Sequence, residues 1–190
     1  MKRYVSNILV LVLIGVQAFG QKSKHSDQHS AIKKTIFDFL TWYSINQDQL
    51  MDGKIVVGFQ DDTLTVNDRV KIDMAAVDVY LDKLKASKLV SKTFTGILRE
   101  TYRSVADFLI KHPLIDYAGP IPGLESDLIL GFEGNEIFAR FAKGEIKHTY
   151  IIGNKALVEF LIIGDINLVF TLSRYKAVWL IDGIESIPID

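Results

Sequence analysis

Apolar and polar positions along this chain follow two periods, one in each half of the molecule. In the last third, short apolar runs are separated by turn residues. Ile146–Ile152 is followed by Gly153-Asn154, a pair suited to a two-residue hairpin turn. Ala156–Ile163 then leads through Gly164-Asp165 into Ile166–Leu172, and a polar loop, Ser173–Lys176, precedes Ala177–Ile181. The pattern predicts four antiparallel strands in a meander. Upstream the spacing changes to three and four residues. Ile32, Ile36, Leu40 and Tyr43, with Phe39 beside them, predict a helix over residues 31–50. Phe37 and Trp42 widen its apolar surface past half the circumference, as expected of a helix held between two layers. Asp73 is placed to cap a second helix over 74–89, with Met74, Val77, Leu81 and Leu84 on one face. Ser91 caps a third over about 93–111, whose stripe is Phe94, Ile97, Leu98, Val105, Phe108 and Leu109.

The linking stretches are less regular. Residues 54–72 read as β-rich, with Asp61-Asp62 at a turn between Ile55–Phe59 and Leu64–Val66. His112-Pro113 stops the third helix, and Leu114–Ser126 is a stiff irregular loop carrying Pro120 and Pro122. Asp127–Leu130 reads as a short strand and Asn135–Phe141 as a helical turn. An apolar meander needs cover on one face, and the helices supply it. The expected fold class is therefore α+β: a curved antiparallel sheet packed against about three helices from the N-terminal half.

Composition narrows the setting. Of 190 residues, 48% are hydrophobic and 24% charged, which is globular composition and enough chain for one substantial core. A net charge of −1 argues against a surface that grips nucleic acid by bulk charge. The absence of cysteine removes disulfides, thiolate metal sites and a thiol nucleophile. The first 20 residues have the layout of a secretory signal peptide: Lys2 and Arg3, an apolar run Ile8–Ile14, then Ala18-Phe19-Gly20 as a cleavage site. That run is shorter than the roughly 20 residues a membrane span needs. Removing Lys2 and Arg3 would take the charge from −1 to −3. The organisation expected is a signal peptide over 1–20, a flexible leader over 21–30 and one domain over 31–190. The location expected is periplasmic or secreted, with no membrane contact after cleavage.

Sequence motifs for chemistry are few. Serine elbows, phosphate-cradling glycine loops, dinucleotide fingerprints and helix-borne zinc pairs are missing. No cofactor or metal is expected. His25 and His29, with Asp27 between them, have metal-compatible spacing, but in a polar leader they read as a solvated tail. Single polar groups within apolar segments remain. Asp38 lies between two phenylalanines, facing either solvent or a cavity. His148 and Tyr150 share a strand face with Ile146 and Ile152 by the two-residue period. Glu159 is the one acid in an apolar strand. If it faced a cavity, His148 could complete an acid–base pair with it. The pleat argument favours Val158, Phe160 and Ile162 inward and Glu159 outward. Candidate pocket residues are thus Asp38, Trp42, Tyr43, His148, Tyr150, Glu159 and Trp179, with no catalytic set among them.

The element order, the opening-helix segment Phe39-Leu40-Thr41-Trp42-Tyr43 and the closing strand Val178-Trp179-Leu180-Ile181-Asp182-Gly183-Ile184 resemble the nuclear transport factor 2-like superfamily, near its exported bacterial members. The resemblance implies a cone-shaped sheet wrapped around helices, often with a cavity, and frequent dimerisation across the sheet. Its members include isomerases, dehydratases, transport adaptors and domains without known chemistry, so it carries over no active site. The expected activity is non-catalytic binding of a small apolar ligand or a partner protein. An acid/base enzyme and an exported inhibitor or immunity protein are the alternatives.

Overall fold

The computed structural model describes residues 27–50, 54–58, 69–131, 140–162 and 166–188. The expected signal peptide, the expected leader up to residue 26, the strand and turn expected at 61–66, residues 135–139 of the expected helical turn and the expected turn at Gly164-Asp165 lie outside the described residues.

The chain is α+β. Helix α1 covers residues 27–50, α2 Met74–Ala86 and α3 Lys92–Lys111. A two-stranded ribbon, β1 (Val56–Val57) and β2 (Lys71–Ile72), precedes α2. A four-stranded antiparallel sheet in meander order, not closed into a barrel, follows: β3 (Glu145–Ile152), β4 (Lys155–Ile162), β5 (Ile166–Tyr175) and β6 (Val178–Pro188).

Capping fixes where the helices start. Asp73 accepts from the backbone N–H of Ala75 at 2.9 Å and Ala76 at 3.3 Å, and the Ser91 hydroxyl accepts from Phe94 N–H at 3.2 Å. Helix α2 stops three residues before its expected end. Lys88 turns the chain with a positive φ of 61°, after which Leu89–Ser91 is extended. This short segment pairs with the edge of β6. Ser91 N–H donates to Ile181 O, and Ile181 N–H donates to Leu89 O, each at 2.9 Å. Residues 27–30, expected as leader, are already part of helix α1. Asp27, Gln28 and Ala31 also border a surface hollow with Arg174 and Trp179.

Helix α1 lies between two layers, as its broad apolar surface requires. On one side Phe37 meets Phe160 edge-on at 5.5 Å, and Thr35 donates to Trp179 O at 3.4 Å. On the other, Phe39 meets Phe94 of α3 at 6.2 Å. The core is continuous from these helices to Val158, Phe160, Ile162, Leu168, Phe170 and Leu172 on the sheet. On α3 the buried stripe is Phe94, Leu98, Tyr102, Val105 and Leu109. The stripe expected from sequence passed over Tyr102 and included Ile97 and Phe108, which are 57% and 40% exposed. Tyr102 falls four residues after Leu98 and takes the inward position, leaving those two on the flanks.

Two irregularities bend the sheet. In β3 the register shifts between Ile146 and His148, so one extra residue separates them. Ile146 therefore packs on the core while His148, Tyr150 and Ile152 are exposed, which corrects the expectation that all four share a face. In β6 the shift falls between Ile181 and Gly183, setting Asp182 aside as the extra residue. β5 runs on to Tyr175, and the last turn is Lys176-Ala177, not Ser173–Lys176. Arg174 and Tyr175 keep their pairs with Trp179 and Val178, which carries the ladder past the polar residues.

Candidate functional site

Three helices each bring a tyrosine to one place. Tyr43 follows Leu40 on the α1 stripe, is 2% exposed and stacks on Phe39 at 5.8 Å. Tyr80 lies between Val77 and Leu84 on α2 and is 4% exposed. Tyr102 of α3 is 6% exposed and meets the Tyr80 ring edge-on at 6.2 Å. Each is an aromatic at a core-stripe position, so burial of the ring drives it inward and its hydroxyl must find a polar neighbour.

Asp127 meets that need for Tyr43. The Tyr43 hydroxyl donates to Asp127 Oδ2 at 2.6 Å, while Oδ1 accepts the backbone N–H groups of Ile129 and Leu130, each at 2.7 Å. Those bonds close a turn, and Gly131 N–H donating to Asp127 O at 2.8 Å completes it with a φ of +80°. Residues 127–130 are thus a turn where the apolar run predicted a strand. A carboxylate that accepts from the N–H groups two and three residues on outcompetes ladder pairing.

Tyr80 is within hydrogen-bonding reach of Tyr43, whose own proton goes to Asp127. The phenols and the carboxylate line a cavity of about 320 Å³, walled also by Ile55, Val56, Leu124 and Leu128, with Lys54 exposed at its mouth. Asp73 N–H, donating to Ile55 O at 2.8 Å, ties the β1 side of this wall to the α2 cap. Among the described residues the Tyr102 hydroxyl has no side-chain hydrogen-bond partner, although its ring is buried and it lines the cavity. Burial first, then the Asp127 charge, push the Tyr102 phenol up to about 12. The same two causes raise Tyr43 and Tyr80 well above the ordinary phenol value, with Tyr102 adding to the rise at Tyr80. All three stay protonated at neutral pH. They can give and accept hydrogen bonds, but they are not poised as nucleophiles or bases.

Comparison with protein-family models, with curated proteins and with solved structures finds no match. The geometry alone therefore speaks for the site.

Of the seven residues singled out in the sequence, Tyr43 alone lines this cavity. Trp42 borders a separate hollow with Asn46, Lys83 and Ser87, and Trp179 lies under the Arg174 guanidinium at 5.6 Å. Asp38 pairs with Lys34 one turn away on α1. The remaining three do meet, on the sheet face turned away from the core. His148 Nδ1 is 2.6 Å from Glu159 Oε2, Asn167 Nδ2 donates to Glu159 Oε1 at 2.8 Å, and the Tyr150 ring stacks beside His148 at 6.2 Å. The His148 hydrogen bond, then that of Asn167, hold the Glu159 carboxyl below the usual carboxylate range. Glu159 thus faces outward, with Val158, Phe160 and Ile162 buried behind it. Beside this cluster Tyr150, Ile152 and Leu157 form an open apolar groove of about 630 Å³ with Ile97 of α3.

At one end of that groove is Asp182, 7% exposed. It accepts from Ser173 Oγ and Lys155 Nζ, each at 2.9 Å. Burial pushes its carboxyl up, but hydrogen bonds from Ser91, Lys155 and Ser173, with the Lys155 charge, hold it below the usual range. Among the described residues no three His, Asp or Glu side chains gather where they could hold a metal ion. Sequence reasoning missed Tyr80, Tyr102 and Asp127. The available signal was a polar-tipped aromatic on the core stripe of every helix.

Proposed function

We propose that this is an exported, non-catalytic binding protein that encloses a small, mostly apolar molecule in the tyrosine-lined cavity. The carrying observation is the Tyr102 hydroxyl, unpartnered among the described residues and open to a hollow of about 320 Å³ while its ring is buried. A hydroxyl that faces a hollow without a protein partner is free to bond a ligand atom placed there. The volume falls at the small end of ligand pockets, which span roughly 300–1,000 Å³. Apolar walls with a few convergent polar groups are the usual composition of such sites. Export rests on the signal-like segment at residues 1–20, and the resemblance to the nuclear transport factor 2-like superfamily, whose sheets often enclose a cavity, supports the same reading.

Native mass spectrometry of protein purified from its own host tests it. The expected spectrum contains a bound small molecule that is lost when Leu124→Trp fills the cavity. A ligand-free spectrum, together with no stabilisation by any apolar probe of matching size, would overturn the reading.

A further inference from the structure

We propose that the cavity selects an organic cation, its occupant presenting a protonated amine to Asp127 among the tyrosine rings. This deepens the binding reading above and rests on it. Asp127 and Lys54 are the only charged residues lining the cavity among those described, and Lys54 is exposed at the mouth, where water screens it. The charge that the described residues set within the aromatic walls is therefore negative.

The direction of the protons reinforces that sign. Tyr43 gives its proton to Asp127, and Tyr80, within reach of Tyr43, is the phenol able to give one to it. A chain of phenols ending on a carboxylate polarises toward it, so the phenol oxygens offer lone pairs to the cavity. Asp127 itself accepts three hydrogen bonds, two on Oδ1 and one on Oδ2. A carboxylate has about four lone-pair sites, so one more donor can be accepted. Tyr102, with no partner of its own, can accept a second N–H from the same group. The rings add attraction of their own, because a cation over a tyrosine face is drawn by the ring quadrupole. An anion would meet the carboxylate and electron-rich faces, with only Lys54 outside to offset them.

The test uses three probes of one length and different charge, n-butylammonium, n-butanol and n-butyrate, titrated into the purified full chain. Binding is read from the NMR shifts of the Ile55, Leu124 and Leu128 methyl groups. The expected result is n-butylammonium binding about tenfold more tightly than n-butanol, with n-butyrate weakest. In Asp127→Asn that preference should vanish while n-butanol still binds. The unmodified protein decides the matter by itself if that variant does not fold. Equal binding of n-butanol and n-butylammonium, or tighter binding of n-butyrate, would overturn cation selection and leave the cavity reading standing. No response from any probe would overturn both.

Discussion

Replacing Tyr43 by Phe removes the hydroxyl on which the cavity is built. The ring stays, with its stack on Phe39 and its 2% exposure, and the hydroxyl that donates to Asp127 at 2.6 Å and stands within reach of Tyr80 is lost; the double-mutant cycle below separates the Asp127 part. A neutral donor on a charged acceptor contributes more than an ordinary hydrogen bond, roughly 1.5–3 kcal/mol net. Asp127 keeps its two backbone donors, Ile129 and Leu130, so the turn is not left without support. About 2 kcal/mol is therefore the expected loss. For a chain of this size that lowers Tm by roughly 4–8 °C. Urea denaturation should show the midpoint falling with an unchanged slope, since the surface exposed on unfolding is the same. Asp127→Asn provides the control, because its amide oxygen can still accept from Ile129 and Leu130 while the charge is gone. In that background Tyr43→Phe should cost less, giving a coupling of about 1 kcal/mol in the double-mutant cycle. A cost within about 0.5 kcal/mol of zero, or no coupling to Asp127, would refute the assignment of this pair as the clasp between α1 and the 127–131 turn.

Other expectations concern the sheet and the ribbon. Asp182 has a carboxyl held below its ordinary value, so it contributes stability above the ordinary aspartate range, and that contribution is lost as pH falls through the folded value. Asp182→Asn should thus be destabilising at pH 7 in chemical denaturation and lose that effect as pH falls below the ordinary aspartate range; a gap independent of pH would contradict this. His148→Ala removes the main cause of the lowered Glu159 value, so the Glu159 carbon resonance should titrate at higher pH than in the parent, and an unmoved titration would count against the pair. Gly58 has a φ of +77°, and a Cβ there would meet Arg69 O at 2.2 Å. Gly58→Ala should cost at least about 1–3 kcal/mol from backbone strain, and a neutral result in thermal denaturation would show that the ribbon can shift to admit it.

Most of the fold was written in periodicity and capping. Asp73 and Ser91 cap the helices they were expected to cap, and the inward set of β4, Val158, Phe160 and Ile162, follows from the pleat. What escaped were features decided by contacts between distant segments or by one extra residue. The bulge after Ile146 leaves no compositional mark, yet it turns Ile146 inward and His148 outward. Asp127 within an apolar run reads as the start of a strand until its side chain is seen taking two backbone donors of its own turn. Tyr43, Tyr80 and Tyr102 each look like ordinary core aromatics on their own helix. Their convergence is a property of how the helices pack, which one sequence does not record. The polar groups that stood out in sequence did so because they interrupt apolar strands, and they lie mainly on the outward sheet face, where such interruptions cost little.

The seam at Leu89–Ser91 bears on how the protein is made. The extended link joining the second and third helices has no strand to lie against until Ile181, near the end of the chain, has been synthesised, and the Thr35–Trp179 bond spans 144 residues. Helical segments emerging first would wait with an apolar flank uncovered, and the final hairpin would close the assembly in one late step. Shortening the chain ahead of residue 179 should therefore release the helical half into aggregates instead of leaving it as a smaller folded unit.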